Sequence, residues 1–198
     1  MIKKMMAGVL LAALAVTAIA PATVSAKGPS LDIVEKAVAV NEKTGLFDTL
    51  LAAATCTPGI VAALSTTDDI TLFAPTDRAF RKLGRDLGVG RLNAHNVCDK
   101  LPEAQRAAVL TYHVLGDEVK YRQALKLATR KGTEITMFSG EPAELVRRGW
   151  FRLFIDGTNS QPSRVVLPNV DASNGVIHVI DRVLLPQDQS IVGVAAGA

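Results

Sequence analysis

The chain is poor in aromatic side chains: six Phe, two Tyr and one Trp amount to 5% of its 198 residues. A large aromatic-lined ligand cavity therefore has little material to be built from. Cysteine is limited to Cys56 and Cys98, which excludes a disulfide-dense scaffold and a four-cysteine zinc module. The three histidines, His95, His113 and His178, stand apart without H-x-H or H-E-x-x-H spacing, so no local metal motif is present. No G-x-S-x-G elbow occurs either. His178 and Asp181 are three residues apart in a stretch with strand character, which sends them to opposite faces and keeps one from orienting the other. These absences argue against an enzyme, and no cofactor or metal is expected.

Only one long apolar run occurs, from Met5 to Ala20. It follows Lys3 and Lys4 and leads into Val24-Ser25-Ala26, the pattern of a secretory signal peptide over residues 1–26 with cleavage between Ala26 and Lys27. The run is shorter than the roughly 20 residues a spanning helix needs, so the mature protein is expected to be secreted or periplasmic and not membrane-spanning. Removing the two lysines lowers the net charge from +3 to +1. So small and scattered an excess gives no footprint for nucleic acid or for an anionic membrane. Residues 27–188 have the length of one domain with a core, and 189–198 read as a flexible C-terminal tail. In an exported chain Cys56 and Cys98 are expected to form an intramolecular disulfide. A redox-active pair is the alternative, without a C-x-x-C spacing to lower a thiol pKa.

Leu31, Ile33, Val34, Ala37 and Val38 recur at helical spacing behind Ser30 as N-cap, and Gly45 ends that segment. Leu46, Phe47, Leu50 and Leu51 repeat the pattern, and Pro58 opens a third short helix. From Ile70 to Phe73 the residues turn β-branched and aromatic; Pro75 breaks the ladder and Thr76-Asp77 cap a helix bearing Ala79, Phe80 and Leu83. Gly84, Gly88, Gly90 and the Asn-rich stretch before Cys98 predict a long surface loop, and Pro102 opens a helix running towards Gly116. Short strands are then expected at 117–120, 133–140, 150–157, 163–170 and in the stretch after Asn174, interrupted by a helix at 121–128. Helices first and mostly antiparallel strands afterwards make an α+β domain with helices covering one side of a β-core.

Three stretches, "TLFAPTDRAF" (Thr71 to Phe80), "YHVL" (Tyr112 to Leu115) and "NGVIHVIDRVLLP" (Asn174 to Pro186), resemble in order and spacing the three blocks of the fasciclin, or FAS1, domain. The resemblance spans essentially the whole mature chain, which is similar to a single-domain, secreted bacterial member of the family. It implies the FAS1 fold, a compact β-core wedge of short strands with several helices around it, and adhesion or matrix binding in place of catalysis. The motif positions are Thr71, Phe73, Pro75, Thr76, Asp77, Phe80, Tyr112, His113, Asn174, Gly175, His178 and Asp181. In adhesive animal members an Asp-Ile pair before the last block, and residues around Tyr-His, are linked to integrin binding. Asn169-Val170 stands at the place of that pair, so integrin recognition is not implied here.

Flanked by Val109, Leu110, Val114 and Leu115, His113 reads as a neutral, hydrogen-bonded group at a helix end. His178 sits in a run apolar at both parities, hence on a strand buried on two sides, and should also be neutral. Thr76 and Asp77 read as capping residues; an anion at that helix start is the alternative. Between the blocks, Arg147, Arg148, Trp150 and Arg152 bring the only tryptophan beside several cations, the residue types that anchor interfaces. The plainer reading of that segment is a hairpin whose Trp150 covers the core edge and whose arginines are solvated. The expected function is an exported, non-catalytic interaction module for a cell-surface, matrix or host component, through an acidic protein or an anionic polysaccharide. The alternative is a carrier of a small lipophilic or carbohydrate ligand.

Overall fold

A computed structural model describes residues 30–187. The expected signal peptide with its Ala26–Lys27 junction, and the tail at 189–198, lie outside the described residues. The first helix, α1 (Ile33–Thr44), starts at Asp32, whose carboxylate accepts from the backbone N–H of Val34 and Glu35 at 2.8 and 2.9 Å. Glu35 reaches back to Asp32 N at 3.0 Å, completing a capping box. Asp32, not Ser30, is thus the cap, as a carboxylate also meets the positive end of the helix dipole. Next come α2 (Asp48–Thr55) and α3 (Ile60–Thr66).

Strand β1 (Ile70–Pro75) runs straight into α4 (Asp77–Asp86), as the change of period predicts. The expected long loop is partly helical. Gly84 lies buried in the last turn of α4, where a Cβ would come within 2.1 Å of Gly90 O, so its bare backbone lets the next segment pass. Leu92 and Val97 of that segment are fully buried, and Cys98 sits on a helical turn, α5 (Val97–Lys100). Helix α6 (Glu103–Thr111) ends earlier than its pattern suggests, and Val114–Leu115 forms a short strand, β2, against β1. The β-branched Val114 and the open edge of β1 outweigh continued helix there. No strand forms at 117–120; backbone groups there bond to Thr71 instead, Asp117 O and Val119 N both meeting its hydroxyl.

Helix α7 (Tyr121–Leu127) precedes β3 (Thr133–Thr136), β4 (Pro142–Arg148), β5 (Arg152–Gly157), β6 (Ser163–Asp171) and β7 (Gly175–Ile180). The seven strands are ordered β2-β1-β7-β6-β5-β4-β3, antiparallel except for the parallel β1–β7 pair. Leu115 bridges Met137, and Val114 O accepts from Phe138 N at 2.7 Å, so the two sheet edges meet and the sheet curls into a near-barrel.

This closure divides the core in two. Ile70, Leu72 and Ala74 of β1, with Ile177 and Val179 of β7, face the helical layer and pack on Ile33, Phe47, Leu50 and Leu110. Phe73 and Ile180, at the other parity, point into the near-barrel with Tyr112, Leu145, Leu153, Ile155 and Leu184. Both central strands are buried along their whole length, which is why β7 is apolar at both parities.

Candidate functional site

The family-motif residues are engaged inside the fold. Tyr112 is fully buried, and its hydroxyl donates to Pro142 O at 2.6 Å. His113 Nδ1–H donates to Val109 O at 2.6 Å while its Nε2 accepts from Leu184 N at 3.0 Å. That inward N–H requires an unprotonated Nε2, and burial pushes the His113 pKa down to about 4. His178 has the opposite tautomer: Nδ1 accepts from Asn169 N at 3.1 Å and Nε2–H donates to Val119 O at 2.9 Å. Burial lowers its pKa too, against smaller upward pulls from the Val119 carbonyl and Asp171. Phe73 lies against the His178 ring, 6.0 Å between centroids.

The remaining motif side chains are ties between elements. Asn174 accepts from Ile33 N and donates to Leu64 O and Thr67 O, all at 2.8 Å, joining α1, the end of α3 and β7. Gly175 passes so close to β1 that a Cβ would stand 2.0 Å from Ile70 O. Thr76 caps α4 through Ala79 N. Asp77 caps a different helix, accepting from Thr49 N at 2.8 Å in the first turn of α2, whose own N-cap Phe47 supplies no side-chain bond. Pro75 pairs with Ile180 at the end of β1 and Phe80 is buried among the helices. Asp181 accepts from Arg164 N at 2.9 Å, leaving it no part in a triad with His178. Asn169 takes a left-handed φ of 56° at the irregular part of β6, and its side chain accepts from Tyr121 N to start α7.

Cys56 and Cys98 are disulfide-bonded, with Cα atoms 6.2 Å apart. Arg106 was not singled out by the sequence, yet it is buried here and donates to Cys98 O, Leu101 O and Cys56 O and to the Thr57 hydroxyl. Such an arginine leaves no trace in the sequence, because its neighbours Ala107 and Ala108 carry the same helical pattern whether it is buried or solvated. Among the described residues, no group of three His, Cys, Asp or Glu side chains is placed to hold a metal ion.

The β4–β5 hairpin is different at its tip: Leu145, Leu153 and Ile155 are core residues, but the side chains at the turn are uncommitted. Trp150 and Phe151 form its turn and are 87% and 77% exposed, so Trp150 does not cover the core edge. Arg148 pairs in register with Arg152, and its guanidinium stacks over the Phe154 ring at 4.8 Å. Arg147 pairs with Leu153 and by alternation points to the other face of the ribbon. Asp156, lower on β5, has its pKa raised by desolvation, with Arg148 pulling the other way. The hairpin base is fixed by Arg147 N donating to Thr129 O at 2.8 Å and the Tyr121 hydroxyl donating to Phe151 O. An apolar pocket among α1, α2, α3 and the sheet, lined by Ile33, Leu50, Leu64 and Leu110, holds about 30 Å³.

Residues 45–186 match the family model of the fasciclin domain. The Synechocystis protein sll1735 is 32% identical over 139 residues, covering 70% of this chain and 89% of that protein. A second Synechocystis protein, sll1483, is 36% identical over 163 residues, covering 82% and 77% respectively. Human periostin is 30% identical over 148 residues, 73% of this chain and 15% of periostin. The structure of a FAS1 domain pair from the insect cell adhesion molecule Fasciclin I superposes with a TM-score of 0.62 at 19% identity, covering 78% of this chain and 51% of that one.

Proposed function

The chain belongs to the fasciclin domain family, and from that membership we propose that it is an exported, non-catalytic interaction module that holds a cell-surface, matrix or host component through its β4–β5 hairpin. The observation that carries this reading is the contrast between Tyr112, His113 and His178, all spent on internal hydrogen bonds, and Trp150 and Phe151, left free at a hairpin turn. A buried imidazole with both nitrogens bonded to backbone offers a substrate neither a base nor a metal ligand. Export is supported by the signal-like sequence of residues 1–26 and agrees with the Cys56–Cys98 disulfide. Among the described residues no single helix is long and apolar enough to cross a membrane. A lipophilic carrier gains nothing from the 30 Å³ apolar pocket, far below the roughly 300 Å³ at which ligand pockets begin. The larger clefts, of about 470 and 400 Å³, are lined mainly by charged and polar side chains such as Arg78, Arg81 and Arg164 or Glu134, Glu144 and Asp156.

Retention of the purified protein on envelope preparations from its source cells tests the reading. Arg147→Gln/Arg148→Gln should be retained several-fold less, with a melting temperature lowered by only about 1–3 °C through loss of the Arg148–Phe154 stack. Equal retention of the two proteins removes the hairpin as the contact. Intact mass of the exported protein should correspond to a chain beginning at Lys27, and a cytoplasmic protein beginning at Met1 counts against export.

A further inference from the structure

A net charge of only +3 conceals where the cations lie. Between Lys120 and Glu134, and again between Glu144 and Asp156, the sequence contains no acidic residue. The fold brings these two segments together: Thr129 bridges Val146 and accepts from Arg147 N, and Tyr121 bonds to Phe151 O. Arg122 and Lys126 of α7, with Arg130 and Lys131 of the following loop, thereby join the three arginines of the hairpin at one end of the near-barrel. All of these cations are exposed, and among the described residues the only ion pairs are those of Lys120, with Glu118 and Asp171. The same end presents Trp150 and Phe151 at the turn and Leu127, 52% exposed, at the end of α7.

We propose that this end of the molecule is a peripheral docking surface for a bilayer containing anionic phospholipid, with Trp150 and Phe151 seated at the headgroup–acyl boundary and the surrounding cations on lipid phosphates. The proposal rests on the interaction reading above and names its partner. A sulfated or uronate polysaccharide, or a nucleic acid, would satisfy the cations and leave the apolar side chains without a role. A membrane interface takes both: indole and phenyl rings partition to the headgroup level, and basic side chains are held by the surface potential. The long stems of Arg and Lys can lie along the apolar zone while their charges remain among the phosphates. The rings project from a two-stranded turn whose base is tied to α7, so insertion requires no refolding of the hairpin.

Trp150 is the only tryptophan, so its emission reports the contact directly. Vesicles of phosphatidylcholine and phosphatidylglycerol in equal parts should co-float the oxidised protein and shift Trp150 emission to the blue. Vesicles of phosphatidylcholine alone should do neither, and raised salt should weaken binding as the Debye length shortens. Trp150→Ser/Phe151→Ser should lower vesicle affinity roughly tenfold or more, and Arg148→Gln/Arg152→Gln by roughly fivefold per arginine. The melting temperature should not change in the Trp150/Phe151 variant and should fall by only about 1–3 °C in the arginine variant, which loses the Arg148–Phe154 stack. A protein that ignores the anionic vesicles but binds heparin without a blue shift, or is still retained on envelope glycan through Arg147 and Arg148, overturns the lipid assignment and leaves the interaction reading standing. A protein that binds neither vesicles nor envelope overturns both.

Discussion

His113 and His178 show how much of this chain's polar chemistry is consumed by folding. Each imidazole receives a backbone N–H on one nitrogen and gives its single proton to a carbonyl from the other, which fixes it neutral. Protonation would set two N–H groups against each other, so acid should act on stability before it acts on anything else. With the folded pKa of His113 near 4 and the ordinary value of 6.5 in the unfolded chain, the unfolded state binds more protons between those values. The stability present above pH 6.5 should therefore drain away as pH falls towards 4, by about 3 kcal/mol for His113, with His178 adding in the same direction. Urea midpoints measured from pH 7 down to pH 4 check this, and a flat profile would refute the neutral assignment. At pH 7, His113→Ala should cost about 2–4 kcal/mol, from a cavity and from stranding Val109 O and Leu184 N.

At the scale of elements, the Thr76-Asp77 pair has a division of labour that its sequence does not reveal. Both residues read as caps, but Thr76 serves α4 while Asp77 serves α2, 28 residues away. Asp77→Ala should cost about 1 kcal/mol by freeing the first turn of α2. Asp77→Asn, which keeps the acceptor, should cost less, and equal chemical midpoints for wild type and Asp77→Ala would show the tie to be idle. Periodicity located β1, α4 and the two-sided burial of β7, because each is written in consecutive residues. Elements fixed by distant partners are not legible in this way: 117–120 looks like a strand but is held by Thr71, and Gly84 looks like loop but sits under Gly90. The hairpin is visible as composition, whereas the alignment of α7 with it depends on the long-range Thr129–Arg147 and Tyr121–Phe151 bonds.

In the whole molecule, two cores share β1 and β7, and the disulfide belongs to only one of them. Cys56 ends α2 and Cys98 lies on α5, both in the helical layer, and Arg106 from α6 binds the carbonyls of both cysteines. Closing a loop with a sequence separation of 42 is worth about 4 kcal/mol in the chain-entropy account. Reduction should accordingly lower the melting temperature. It should act unevenly, because the near-barrel interior around Leu145, Leu153 and Ile155 is bridged by no covalent link to the helices. Hydrogen exchange on the reduced protein should show early loss of protection in α2, α5 and α6, while amides of β4 and β5 exchange only with global unfolding. Uniform loss across both cores would mean that the two behave as one cooperative unit. The functional consequence follows from the same geometry: the hairpin is built on the near-barrel, so its binding should survive reduction at temperatures below the lowered melting point. Loss of binding in the reduced, still folded protein would instead place the contact surface on the helical layer.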